Sequence, residues 1–99
     1  SGNFKTDTMK IINVVEMRNG ILDTISSFVV TEEDDQQLKP DAVTKAEEFF
    51  ASLIRARFAK PTTDWEADNI ETTVETAIEE GYYDDKNGFY FCIHWSNVK

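Results

Sequence analysis

What this chain has little of narrows its chemistry. With one cysteine it cannot form an internal disulfide, and with one histidine besides it offers no recognised zinc-ligand spacing. Two prolines and four glycines exclude a linker or a low-complexity segment. No apolar run approaches the roughly 18–20 residues of a membrane-spanning helix, and no basic-then-apolar leader opens the chain. The sequence holds no Walker loop, no GxGxxG, no GxSxG and no HExxH. The expectation is therefore a cytoplasmic, reducing compartment, with no cofactor, no metal and no membrane partner.

What is present suffices for one core. The 99 residues are 40% hydrophobic and 12% aromatic, with seven Phe, three Tyr and two Trp, which fits a single compact domain. Residues 1–8 precede the first strand-like run and read as a flexible leader or a tag remnant. Residues 9–99 read as the domain.

Residues 9–17 and 21–30 are rich in β-branched side chains, and Asn19-Gly20 between them is a strong hairpin signal. A two-residue turn there would set Glu16 against Asp23, a like-charge pair that lowers stability. A three-residue turn with Gly20 left-handed would avoid it, so the register stays open. The polar stretch 31–40 reads as a loop. Val43, Ala46, Phe49, Phe50, Leu53 and Ile54 then recur at helical spacing, which predicts a first helix over about 41–59. Arg57, near the end of that helix, is expected to lay its stem on the core and pair with a carboxylate or the last carbonyls. Thr63-Asp64-Trp65-Glu66 has the form of a capping box, opening a second helix over about 64–80 with Ala67, Ile70, Val74, Ala77 and Ile78 inward and Gly81 as its cap.

After a turn at Asp84–Gly88, residues 89–96 alternate as a third strand. Phe89, Phe91, Ile93 and Trp95 form the expected core face, with Tyr90, Cys92, His94 and Ser96 opposite. The order ββααβ predicts an α+β two-layer sandwich, a three-stranded, mainly antiparallel sheet with both helices on one face. The third strand is expected antiparallel to the second. Both hairpin strands carry apolar residues on each face, so the open sheet face is expected to be covered too, by a homodimer or a partner.

The charge is uneven. Pro61–Asp85 contains nine acids and no Lys or Arg, while the remaining ten acids and ten bases cancel. The formal −9 thus belongs to the second helix and its flanks. Asp64, Asp68, Glu71, Glu75 and Glu79 step by four, three, four and four, so a helix aligns them in one stripe about 22 Å long at 1.5 Å of rise per residue. Neighbouring like charges oppose helix formation by a few tenths of a kcal/mol each. The plainer reading is a solvated acidic face that aids solubility. The functional reading is recognition of a basic protein, with an inhibitor or a nucleic-acid mimic as a special case. Direct nucleic-acid binding is not expected, because the bases are scattered. Trp65 and Tyr83 are candidate interface aromatics, and Tyr82 is expected to fold back as part of the helix cap.

The competing class is a ligand site or enzyme on the open sheet face, using Tyr90, Cys92 and His94. Cys92 and His94 share a face, but strand neighbours two apart lie about 7 Å from each other, beyond a nucleophile–base hydrogen bond. Asp84–Gly88 has the look of a calcium loop, yet that alignment puts Tyr83 and His94 where Asp and Glu are needed. The expectation is a non-enzymatic interaction module.

Overall fold

Strand alternation and helical periodicity resolve, in the computed structural model, into four strands and two helices among the described residues, 9–31 and 39–98. The expected leader at 1–8 and most of the expected loop at 31–40 lie outside them. The elements are β1 (Met9–Arg18), β2 (Ile21–Val30), α1 (Asp41–Arg55), α2 (Asp64–Glu80), β3 (Tyr82–Asp84) and β4 (Phe89–Val98). They form an α+β domain whose sheet runs β2-β1-β4-β3, every neighbouring pair antiparallel.

The hairpin resolves its own electrostatic conflict. Asn19 and Gly20 both have positive φ, 52° and 79°, as a two-residue type I′ turn requires. Arg18 therefore faces Ile21 and Met17 faces Leu22. Unbroken pairing would next bring Glu16 against Asp23. Instead the register shifts, Asp23 is passed over as a β-bulge and Glu16 faces Thr24. The carboxylate of Asp23 lies 3.9 Å from the guanidinium of Arg18.

The expected direction of the last strand was wrong, and so was the strand count. β4 pairs with β1, and because β1 is antiparallel to both its neighbours, β4 and β2 point the same way. The additional reversal comes from β3. Leaving α2, the chain does run antiparallel to β2, but only for three residues, and the turn after Asp84 brings it back. Asp84 Oδ1 accepts the Lys86 amide at 2.8 Å, and Asp85 Oδ1 accepts those of Asn87 and Phe89 at 2.7 and 3.0 Å. The turn is tied to the first hairpin, since the Asn19 amide donates to the Gly88 carbonyl at 2.6 Å.

Alternation along the sheet separates two faces. Toward the helices point Ile12 and Val14 of β1, Phe28 and Val30 of β2, and Phe91 and Ile93 of β4. These pack on Ala42, Ala46, Phe50 and Ile54 of α1 and on Val74 and Ala77 of α2. Phe50, Ile54 and Val14 are fully enclosed, each removal from water contributing about 1.5–3 kcal/mol. α1 lies across β2, β1 and β4, while α2 packs beside α1 and over β3. Trp95 was expected in this core but is 51% exposed. On β4 the packed residues are Phe89, Phe91 and Ile93, so the helix layer stops short of it.

Helix α1 ends at Arg55, four residues earlier than expected. The chain tightens there, with Arg57 and Phe58 donating to the carbonyls three residues back. Arg57 then pairs with Asp85 at 3.5 Å and lies 3.6 Å from the centre of the Phe89 ring, the structural role expected of it. Helix α2 spans the expected residues. Thr63 Oγ1 accepts the Glu66 amide at 3.1 Å, but the Glu66 carboxylate takes the amide of Thr62, not that of Thr63. Gly81 closes α2 at φ 86°, its amide donating to Ala77.

Candidate functional site

Because α2 buries Val74 and Ala77 against the core, the 100° step per residue fixes where its other side chains point. Asp64, Asp68, Glu71, Glu75 and Glu79 are all exposed, and helical spacing turns Asp64, Glu71 and Glu75 toward the shoulder that adjoins α1. Asp68 and Glu79 lie closer to the outermost line, with Trp65 and Thr72.

The shoulder position exposes the stripe to a cation from α1. Arg55 Nε donates to Glu71 Oε2 at 2.8 Å and its terminal nitrogen donates to Oε1 at 2.7 Å, a bidentate clamp. The hydrogen bond from Arg55 is the main reason the Glu71 carboxyl titrates below its usual range, and the same bond raises Arg55. Glu71 is thus no free charge in the stripe. Asp64, Asp68, Glu75 and Glu79 have no ion pair among the described residues. The stripe becomes two pairs of carboxylates, separated along the axis by about 10 Å from Asp68 to Glu75. Arg57 is held by Asp85.

Trp65 stands at the N-terminal end of this surface and is 72% exposed. Beside it lies an open cleft of about 420 Å³ whose walls include Phe58, Ala59, Asn69 and Ile70. A second cleft of about 350 Å³ runs between α2 and β3, with Thr72, Thr76, Tyr83 and Lys86 on its walls. Phe58 and Ala59 were not expected at a site, since they fell at the end of a helix expected to reach about residue 59. Only the earlier end of α1 at Arg55 and the path of the connection bring them beside Trp65.

The two tyrosines after Gly81 face opposite ways. Tyr83 is half-buried, packs 6.2 Å from Phe58 and titrates high because burial disfavours the phenolate. Tyr82 is 45% exposed on the opposite face, its ring stacked 6.0 Å from that of Tyr90. The cause is β3, since two consecutive strand residues must face opposite ways.

Tyr90, Cys92 and His94 do share the outer sheet face, opposite Met17, Val15 and Asn13 of β1. Burial raises the Cys92 thiol's pKa, contrary to what an activated nucleophile needs. Neither Cys92 nor His94 has a side-chain hydrogen bond among the described residues, and none of the clefts described above includes them. Among the described residues, no three of His, Cys, Asp and Glu cluster to hold a metal ion, and no helix is long and apolar enough to cross a membrane.

No family model, curated protein or solved structure matches this chain. The functional reading rests on its own surface.

Proposed function

We propose that this protein is a non-enzymatic interaction module whose helix α2 receives a basic protein. The observation that carries the reading is Trp65, 72% exposed beside an open cleft of mixed apolar and polar walls, on the same helix as four carboxylates that no described residue neutralises. Large aromatics carry a disproportionate share of interface energy when they seat in a partner. Carboxylates around such an anchor steer cationic partners and reject acidic ones. Asp64 and Asp68 flank Trp65 most closely, and Glu75 and Glu79 extend the field toward the far end of the helix. The partner is a protein rather than a nucleic acid, since a phosphate backbone would meet like charge here. Tyr83 contributes through packing on Phe58, beneath the surface rather than at the contact itself.

A pull-down at low and high salt, with the recovered protein identified and its affinity then measured, tests this. The wild type is expected to retain a basic protein at about 50 mM salt and release it near 500 mM, as the Debye length contracts to a few ångströms. Asp68→Lys and Glu75→Lys together should abolish retention. Trp65→Ala should weaken it about 30-fold, the equivalent of a 2 kcal/mol hot spot, and Arg55→Ala should not weaken it. Recovery of no basic protein, or of one indifferent to salt and to these substitutions, would refute the proposal.

A further inference from the structure

Among the described residues, the helices cover one face of the sheet and leave the other open, and that open face differs in kind from the rest of the surface. By register it presents Ile11, Asn13, Val15 and Met17 on β1, bordered by alternate residues of β2, β4 and β3. In a chain of net charge −9, this face carries no Lys, Arg or Glu among the described residues, and its one acid among them, Asp84, lies at a corner. Leu22, Ile25, Val29 and Tyr82 remain 45–54% exposed on it. A polar row of Ser27, Asn13 and His94 crosses the face between Ile11 and Val15, and apolar side chains left this exposed on both sides of it mark a contact surface.

We propose that this face is a homodimer interface, in which a second copy of the chain packs sheet against sheet. Charge selects the occupant. Two copies that each carry −9 repel one another through most approaches, and the outer sheet face is where they can meet without opposing like charges. It offers a basic partner almost nothing. Area agrees. Three ten-residue strands, about 4.8 Å apart and rising about 3.4 Å per residue, give a flat footprint of roughly 500 Å². β3 and side-chain relief bring this toward the roughly 800 Å² per partner of a stable interface.

Three polar residues of the face, Asn13, Ser27 and Ser96, are already paired with one another. Asn13, in the middle strand, accepts a hydrogen bond from Ser27 at 2.7 Å and donates one to Ser96 at 3.1 Å. The ladder satisfies those groups within the sheet, so excluding water leaves its carbonyl and its amide each with a partner. Two such faces pack about 10 Å apart with strands some 30° askew. The product is a four-layer sandwich with the helices outside, so both α2 shoulders stay accessible. The inference does not rest on what α2 binds.

Light scattering on size-exclusion chromatography with the full chain at about 100 µM tests it. The wild type is expected at twice the chain mass. Ile25→Lys on β2 and Tyr82→Lys on β3, at opposite margins of the face, should each halve that mass while circular dichroism stays unchanged. Raising salt should strengthen self-association by screening the net charge, the opposite of its effect on a basic partner, so failure of either proposal is read separately. Without any substitution, the reactivity of Cys92 toward a thiol reagent should fall as protein concentration rises. A monomeric wild type overturns the proposal, including one in which residues 1–8 shield Cys92 at every concentration. So does a dimer that survives Tyr82→Lys but not Ile25→Lys, which would be pairing along the free edge of β2.

Discussion

Replacing Gly88 with alanine isolates how the two turns of the sheet are locked together. Gly88 has φ 105°, a conformation that L-residues rarely adopt, and an added Cβ would collide with Oδ1 of Asn19. Backbone strain alone is worth about 1–2 kcal/mol. Relieving the collision must turn the Asn19 side chain out of its rotamer, a further cost of about 0.5–1.5 kcal/mol, while its backbone amide keeps the 2.6 Å hydrogen bond to the Gly88 carbonyl. The expected loss is about 2–3 kcal/mol, a large share of the 5–15 kcal/mol typical of a domain. Gly20 is an internal control. It also has positive φ, 79°, but no atom within 4 Å of the added carbon, so Gly20→Ala should lose only the strain, about 1 kcal/mol. Urea denaturation reads both as shifts in midpoint at constant slope. Adding Asn19→Gly to Gly88→Ala should recover the collision part, giving a coupling of about 1 kcal/mol in a double-mutant cycle. Equal losses for the two alanine variants, or no coupling, would refute the reasoning.

Two further outcomes follow from the core and from the acids. Phe50→Ala should lose about 3–5 kcal/mol by urea denaturation, because Phe50 is fully enclosed between the helices and the sheet. The Glu71 carboxyl titrates low through its hydrogen bond from Arg55. Partial burial pushes Asp85 upward, but the Asn87 and Phe89 amides and Arg57 outweigh it, so Asp85 titrates low as well. Folded values below the unfolded ones, about 4, mean that the stability these groups contribute is full above that pH and lost as pH falls through the folded values. Thermal melts across pH 2–6 should therefore show an acid-side decline that Glu71→Gln and Asp85→Asn each flatten, and a decline unchanged in both variants would exclude them as its source.

Where local signals were strong, the sequence was readable. Asn19-Gly20 can hold two positive φ values in succession, and Thr63 and Gly81 bound α2 whatever surrounds it, so the hairpin and that helix were legible. The bulge at Asp23 was legible only as a conflict. The Glu16–Asp23 clash announced that simple pairing would fail, but not how it would be avoided. Of the candidate site, the acids and Trp65 were visible by spacing, whereas the clamp on Glu71 was not, because Arg55 meets it across 16 residues.

The sequence by itself determined the α+β class, the location of the negative charge and the core faces of both helices, because these depend on periodicities of two and 3.6 residues that are properties of the chain. Tertiary structure decided the rest. A three-residue strand is too short to show a period, so β3, the return of β4 beside β1 and the opposite facing of Tyr82 and Tyr83 arise only when Tyr82–Asp84 finds hydrogen-bond partners in β4. Which acids stay free was likewise settled by the packing of α1 beside α2, since an ion pair depends on distance in space and not on order along the chain.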